Sequence, residues 1–375
     1  MRIIKPARWR YMVEERPSAS WSSSANAFFL ESISAGGMPV VRLFDFASPV
    51  CLLGRYQAAD VELDAALCER NGVEVGRRLS GGKLLRLGPQ AVGIAVILPA
   101  PARARQAARS PQEWLDRVRS EVVAAMNSSG LPVAPEGRQQ AVFTAKEPSG
   151  EVKYPVASFG LLVSDTGALL IETFIITRTS TPSLSMNRRA EMESIGDFWG
   201  DPGAMPVTLQ QALDSLDRPA FLSGLARALE RILEGQPDAK PYSGSERETV
   251  LQLEREKYAT SGWRFARSSP TGVNGVVTAL TRSGALRAAV EIREGRIWDL
   301  VLAGEFRMPE KTLGRLERSL KGESAQRDRI SRVIHRVLDA VADGQSDLEP
   351  NEAIDVIALA CERARPVPVP GGREG

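Results

Sequence analysis

Residues 77–88 read RRLSGGKLLRLG, and this stretch combines residue types that bind anions. Glycines lack a Cβ atom, so backbone N–H groups can approach a ligand closely. Arginine guanidinium groups donate paired hydrogen bonds to phosphate or carboxylate. The spacing therefore indicates an anion-binding loop, while Ser-Gly-Gly also forms ordinary turns. The candidate binding residues are Arg77, Arg78, Ser80, Gly81, Gly82 and Lys83.

The composition argues against a protein nucleophile. His335 is the only histidine, and the three cysteines, Cys51, Cys68 and Cys361, form no Cys-x-x-Cys pair. A Ser-His-Asp triad, a Cys-His dyad and a histidine-based zinc site are therefore close to excluded, and we predict no metal site. Scattered cysteines in odd number favour a reducing compartment, so we expect a cytoplasmic protein.

The overall charge gives no reason to expect nucleic acid or an anionic membrane as a partner. Among the 375 residues, 48 are basic and 46 acidic, for a formal net charge of +2. The longest apolar runs, such as VGIAVILPA at 92–100, are too short to span a bilayer. Any basic site must therefore be local.

The first half of the sequence predicts a mixed α/β arrangement. Three segments are rich in β-branched and aromatic residues, as buried strands require: 40–46, 92–98 and 168–176. Residues 110–130 predict a helix, because Ser110 can cap it and Glu113 completes a capping box three residues later.

A shift in composition predicts how the chain divides. Residues 236–248 are rich in Gly, Pro, Ser and charge, which favours a linker between a catalytic domain at 1–235 and a smaller domain at 249–365. The smaller domain predicts a β-meander with turns at Ser283-Gly284 and Glu294-Gly295, followed by helices. The tail, residues 366–375, is predicted to be disordered.

Several motifs occur in an order that resembles a known family. They are SANAFFLES (24–32), RLFDFASPVCLLGRYQ (42–57), GVEVGRRLSGGK (72–83), GRQQ (137–140) and EVKYPVAS (151–158). YATSGWRF (258–265) and GRIWDLVLAGEF (295–306) follow them. Together these segments resemble the lipoate–protein ligase A family of the biotin/lipoate ligase superfamily, from about Trp9 to about Ala364.

The resemblance implies a fold and a reaction. The implied fold is α+β, a biotin/lipoyl protein ligase-like mixed sheet flanked by helices, with a small α+β accessory domain. The implied enzyme uses ATP, with Mg²⁺, to activate lipoate or a related acyl acid as an acyl-adenylate. It then transfers the acyl group to a lysine of a lipoyl-carrier domain. Neither step needs a protein nucleophile.

The resemblance also implies roles for individual residues. Lys153 would be the catalytic lysine that bridges the acyl carbonyl and the α-phosphate, where a compact ammonium stabilises developing charge. Arg77 or Arg78 would hold phosphate oxygens, and Gly81 and Gly82 would let the backbone approach the ligand. Further candidates are Arg55, Arg138 and Glu172.

The sequence departs from the family at six places that face the ligand. The departures are Lys83, Leu87, Gln140, Pro155, Glu172 within Ile171-Glu172-Thr173, and EMESIGDFW (191–199), which lacks the usual arginines. Lys83 either supplies phosphate-binding charge or fills the pocket. A buried Glu172 would need a partner such as Lys83 or Lys153, and otherwise it faces outward.

Three functions remain open on the sequence alone. We favour an ATP-dependent ligase. An ATP-independent octanoyl or lipoyl transferase would use a cysteine nucleophile in related enzymes, and no cysteine lies near 137–160. A non-catalytic protein that binds a lipoyl domain would explain the altered motifs.

Overall fold

The computed structural model describes residues 8–89, 91–100, 110–148, 150–177, 206–233, 235–341 and 344–364. These residues form two compact units. The first contains the described residues up to Arg55, from Asp64 to 177 and from 206 to Arg264. The second contains Tyr56–Leu63 and the described residues from Phe265 onward.

The chain up to Arg264 contributes eleven strands among the described residues. They are β1 (Arg8–Glu14), β2 (Val40–Asp45), β3 (Val50–Leu53), β4 (Glu74–Arg77), β5 (Leu85–Leu87), β6 (Val92–Leu98), β7 (Ala134–Glu136), β8 (Gln140–Glu147), β9 (Gly150–Val163), β10 (Leu169–Ile175) and β11 (Gln236–Ala239). Eight of them form one mixed sheet in the order β11-β1-β2-β6-β10-β9-β8-β7. Strand β1 pairs in parallel with β2 and β11, and the remaining neighbours are antiparallel.

The described helices of the first unit are α1 (Ala19–Ser34), α3 (Ala65–Arg70), α4 (Pro111–Ser128), α5 (Val207–Asp214), α6 (Arg218–Ile232), α7 (Gly244–Leu253) and α8 (Ser261–Arg264), with a π-helical turn at Glu254–Tyr258. The short helix α2 (Ala59–Glu62) belongs to the second unit. Helices α1, α4 and α5 pack against the large sheet. Helix α4 begins with the predicted capping box between Ser110 and Glu113. The strands predicted at 40–46, 92–98 and 168–176 correspond to β2, β6 and β10, so these predictions are confirmed.

A second, three-stranded sheet positions the motif at 77–88. Strand β3 lies between β4, which is parallel to it, and β5, which is antiparallel. Leu53 is paired with Arg77, so the turn after β3 and the turn after β4 lie at the same edge. Helix α1 packs against β4, β6 and β10 and so connects this small sheet to the large one.

The segment predicted as a linker, residues 236–248, is structured and packs within the first unit. Strand β11 extends the large sheet beside β1, and helix α7 begins with a capping box between Ser243 and Glu246. Arg10 in β1 forms an ion pair with Glu246, with Nη1 2.7 Å from Oε1. The Gly and Pro residues here separate a strand from a helix, so the division lies between Arg264 and Phe265 and the predicted boundaries were wrong. The predicted tail, 366–375, lies outside the described residues.

The second unit is a small α+β unit with its own core. Strands β12 (Gly275–Thr281), β13 (Gly284–Arg293) and β14 (Arg296–Gly304) form the predicted antiparallel meander. Helices α9 (Glu310–Leu320), α10 (Arg327–Leu338) and α11 (Pro350–Glu362) follow, and their buried faces join the same hydrophobic core as β13 and β14. The turns fall where predicted, and Gly284 and Gly295 adopt positive φ of 108° and 71°.

No helix among the described residues is both long enough and apolar enough to cross a membrane.

Candidate functional site

The glycine loop, residues Ser80–Lys83, follows β4 and leads into β5. It packs tightly against the end of β3, where the Arg55 N–H donates to the Ser80 carbonyl at 2.9 Å. A Cβ atom on Gly54 would lie 2.0 Å from the Gly82 carbonyl oxygen, and Gly82 itself has φ +101°. Both positions therefore require glycine, one for space and one for backbone conformation.

Arg78 is buried beneath this loop and holds its backbone. Its Nη2 donates to the carbonyls of Gly81 and Lys83 at 2.9 and 2.8 Å, and its Nε also donates to Gly81 at 3.2 Å. Its Nη1 donates to the Leu52 carbonyl at 3.1 Å. The side chain is 2% exposed, so it shapes the loop from inside.

Arg77 is equally buried and binds carbonyls on the other side of β4. It donates from Nε to Trp263 at 2.9 Å and from Nη1 to Gly54 and Arg55 at 2.8 and 3.1 Å. Its Nη2 donates to the Arg264 carbonyl at 3.2 Å. We predicted that Arg77 or Arg78 grips phosphate; in the structure the guanidinium groups of both residues donate to backbone carbonyls. Buried carbonyls need donors, and these guanidinium groups supply them.

The glycine loop nevertheless presents groups that can receive an oxygen ligand. The N–H groups of Gly81 and Gly82 donate to no other described residue. The Ser80 hydroxyl is fully buried and likewise has no hydrogen-bond partner within the described chain. Consecutive unpaired N–H groups form a concavity suited to an anion or to a carbonyl oxygen. Since buried donors without partners are costly, this is the feature that most strongly indicates a binding site.

The GRQQ segment lies beside this loop, although a different residue faces it from the one predicted. The Gln139 side chain approaches Gly82, because a Cβ there would lie 3.2 Å from Gln139 Oε1. Arg138, the predicted candidate, is exposed.

Glu172 in β10 lies under the same loop and is 2% exposed. Its Oε2 accepts the Ser80 N–H at 2.8 Å, and its Oε1 accepts Asn26 Nδ2 at 2.8 Å. The sequence-based alternatives were a pairing with Lys83 or Lys153, or an outward-facing side chain. None of these alternatives is observed. The carboxylate instead accepts hydrogen bonds from the Ser80 backbone N–H and from the side-chain amide of Asn26 in α1.

Asn26 continues a buried polar network that the sequence analysis missed. Arg42 in β2 is fully buried and donates from Nη1 to Asn26 Oδ1 and to the Ser22 carbonyl. Its Nε and Nη2 bind Glu14 at 2.5 and 3.0 Å. Burial alone would raise the pKa of Glu14, but the charge of Arg42 and its hydrogen bonds outweigh burial and lower it. An arginine inside the apolar run VVRLF was the available signal.

Lys153 lies away from the glycine loop. Its side chain is 55% exposed, and its Nζ pairs with Glu136 Oε2 at 2.8 Å. Gly160 of the same strand is the residue that meets Ser80, since a Cβ there would lie 2.2 Å from Ser80 Oγ. Gly160 is seven residues further along β9, a distance of about 23 Å at the rise of a strand. The predicted catalytic role of Lys153 therefore has no geometric support.

Two further predicted cations, Arg55 and Lys83, lie beside or within the glycine loop. The Arg55 guanidinium stacks 3.9 Å from the centroid of the Trp263 ring. Lys83 is half-buried at the end of the loop, and its carbonyl is held by Arg78. The cations predicted to converge on the loop are thus used largely for internal contacts.

The three cysteines are all buried, at 1%, 3% and 9% exposure for Cys51, Cys68 and Cys361. A hydrogen bond with Cys68, together with burial, raises the pKa of Cys51. Burial and the neighbouring Glu362 raise the pKa of Cys361 to about 12. Within the described chain, no three His, Cys, Asp or Glu side chains are grouped to hold a metal.

Comparisons with known proteins place this architecture. Residues 22–149, which include α1, the glycine loop and α4, match the family model of the lipoyl protein ligase A/B catalytic domain. The chain is 22% identical over 305 residues to the lipoate-protein ligase LplJ of Bacillus subtilis, covering 79% of this chain and 84% of that protein. It is 36% identical over 80 residues to the octanoyltransferase LipM of Carboxydothermus hydrogenoformans, covering 20% of this chain and only 28% of that protein.

Among solved structures, P. falciparum LipL1 in complex with lipoate aligns with a TM-score of 0.65 at 11% identity, over 94% of this chain and 99% of that chain. This likeness shows the fold. Residues 22–149 thus resemble the lipoyl protein ligase A/B catalytic domain, and the chain has the fold of the lipoate-binding structure with which it aligns. One of the two similar proteins is named for ligation and the other for octanoyl transfer.

Proposed function

We propose that this chain joins lipoate, or a related acyl acid, to a lysine of a lipoyl-carrier domain, with ATP as the activating substrate. The unpaired N–H groups of Gly81 and Gly82, next to the buried Ser80 hydroxyl, are the observation that carries this proposal. They fit a carboxylate oxygen or an acyl carbonyl. The similarity to LplJ over four-fifths of the chain supports ligation.

The burial of all three cysteines supports the same chemistry, because an acyl-cysteine intermediate would need a cysteine to become exposed. The carrier lysine must then attack an acyl group that is already activated. ATP supplies that activation when the acid carboxylate attacks the α-phosphate and releases pyrophosphate. The carrier amine next displaces AMP and forms the amide.

The described residues fit the acyl part of this reaction better than the nucleotide part. Arg77 and Arg78 are used by backbone carbonyls, so we assign the phosphate-binding charge to Lys83, which ends the glycine loop. Mg²⁺ commonly keeps several waters and binds through substrate phosphates and one or two carboxylates. It would therefore arrive with the nucleotide. The predicted cytoplasmic location stays a prediction.

Lipoate-dependent exchange of pyrophosphate into ATP tests the proposal directly. We expect exchange with lipoate or octanoate and a loss of at least roughly tenfold in Lys83→Met, because one phosphate contact is removed. Lys146→Met is the matched control, since Lys146 is an exposed lysine on β8. Absence of exchange with every acyl acid would reject the ligase. Acyl transfer from an octanoyl-loaded carrier without ATP would replace it with a transferase.

A non-catalytic protein that binds lipoyl domains is the second candidate. The pairing of Lys153 with Glu136, far from the glycine loop, favours it, because the predicted catalytic lysine is absent from the site. Stable binding of a purified lipoyl domain, with neither exchange nor transfer, would support this function over ligation.

A further inference from the structure

We infer that Glu172 is a positioning residue, whose ionised carboxylate fixes the glycine loop so that the Gly81 and Gly82 N–H groups face the ligand. The kinetic consequences of this role of Glu172 rest on the proposed function, whereas its effect on the conformation of the loop does not.

The donors and acceptors of the network determine the state of Glu172. Arg42 has only donors, so the atom of Asn26 that faces it must be the amide oxygen. The Asn26 NH₂ group therefore points at Glu172 Oε1, which must accept. The Ser80 N–H points at Oε2, which must accept as well. A protonated carboxyl could still accept at both oxygens, but its O–H would have no acceptor among the described residues, so the ionised carboxylate fits these contacts best.

The same carboxylate restrains a different part of the loop from the part that Arg78 binds. Glu172 holds the N–H of Ser80, while Arg78 holds the carbonyls of Gly81 and Lys83. Two buried side chains of opposite charge thus fix the peptide planes on either side of the glycine pair. The N–H groups left over belong to Gly81 and Gly82.

Strand pairing and a missing side chain make this arrangement possible. Gly160 in β9 lies directly opposite Glu172 in β10. Any Cβ at Gly160 would collide with the Ser80 side chain, 2.7 Å from its Cβ and 2.2 Å from its Oγ. The loop can therefore descend onto the sheet and bring the Ser80 N–H within reach of the carboxylate.

A double variant that moves the negative charge from residue 172 to residue 26 can keep every hydrogen bond of the network. Comparing it with the single variants distinguishes a positioning role of Glu172 from general structural damage. In Glu172→Gln the side-chain amide has an oxygen that accepts and an NH₂ group that only donates. The oxygen can accept from either Asn26 or Ser80, and the NH₂ group then faces the other donor without forming a hydrogen bond. In the double variant Asn26→Asp/Glu172→Gln, the aspartate accepts from Arg42 and from the glutamine NH₂. The glutamine oxygen then accepts the Ser80 N–H. Asn26→Asp alone places two carboxylates together.

Two readouts apply to wild type and the three variants, after circular dichroism and thermal unfolding confirm that each is folded. The first is amide hydrogen exchange in a peptide covering residues 78–84. The second is the KM for the acyl acid set against kcat in pyrophosphate exchange. Since an unpaired buried donor disfavours the native loop, we expect Glu172→Gln to speed exchange in this peptide by roughly tenfold. We expect KM to rise by a similar factor, with less change in kcat.

The double variant should return both values to within about threefold of wild type, because every hydrogen bond is restored. A merely structural role would lower the fraction of active protein, and hence kcat, without moving KM. The inference is overturned if Glu172→Gln leaves exchange of the loop peptide unchanged, or if the folded double variant stays as impaired as the single one. A wild-type protein without ligase activity would reject the proposed function alone, since exchange of the loop peptide still reports on positioning.

Discussion

Gly54→Ala should disable the glycine loop although Gly54 lies outside it. The new Cβ would lie 2.0 Å from the Gly82 carbonyl oxygen, and tolerable contacts begin near 3.0 Å, so the loop backbone must move by about 1 Å. Overpacking of this kind costs roughly 1–3 kcal/mol of stability. A displacement of 1 Å at a binding site can cost about a hundredfold in rate. We therefore expect modest destabilisation with a severe loss of lipoate binding and turnover.

Urea unfolding measures the first effect, and calorimetric titration with lipoate measures the second. Gly72→Ala is the matched control, because Gly72 has φ +64° but nothing lies within 4 Å of its Cβ position. That variant should lose about 1–2 kcal/mol through backbone strain alone and bind lipoate normally. If Gly54→Ala unfolds and binds like wild type, the tight packing of β3 against the loop is refuted.

Three further outcomes follow from the contacts already described. Lys153→Met should cost less than about 1 kcal/mol and change turnover no more than Lys146→Met, because its ion pair is exposed; a specific loss of turnover at Lys153 would contradict its placement. Arg42→Met should lower the free energy of unfolding in urea by about 3–5 kcal/mol, since it leaves Glu14 buried without its partner. The pKa of Glu14 is below its ordinary 4.5 in the folded state, so its stabilisation of wild type is complete above that pH and is lost as pH falls through the folded value. Arg42→Met should lack this pH-dependent contribution of Glu14 to stability. Identical acid unfolding curves for wild type and variant would refute the coupling of Glu14 to Arg42. Cys51 should react with a thiol reagent only after unfolding, and prompt labelling of the native protein would contradict its burial.

Local signals predicted the elements well. The capping box at Ser110 and Glu113 and the turn at Glu294-Gly295 depend only on residues a few positions apart. The segment 236–248 was predicted wrongly for the opposite reason. Its pairing with β1 joins residues more than 220 positions apart, which no local composition reveals.

The site was only partly predictable because residue type does not decide what a charged group contacts. Arg77 has the right chemistry for phosphate, but the carbonyl of Trp263, 186 residues away, takes its Nε. Lys153 has the right sequence context, but the pairing of β9 places it opposite Thr144, near the far end of the hairpin. The structural need for glycine in the loop was easier to predict, because a buried turn uses a residue without a Cβ mainly for close approach or for positive φ, as at Gly82.

Arg78 and Glu172 form one physical unit with the glycine loop. Arg78 binds the carbonyls of the loop, and Glu172 binds its first N–H. Without the loop between them, each buried charge would lose part of its hydrogen bonds, leaving Arg78 with the Leu52 carbonyl and Glu172 with Asn26. The loop would in turn have unpaired carbonyls and one more unpaired N–H without them. The charged side chains thus determine the backbone, and the N–H groups of Gly81 and Gly82 are left without a partner among the described residues. On the proposed function, the shape of the loop, more than the number of cations around it, should therefore decide how tightly the carboxylate or acyl carbonyl of the substrate is held.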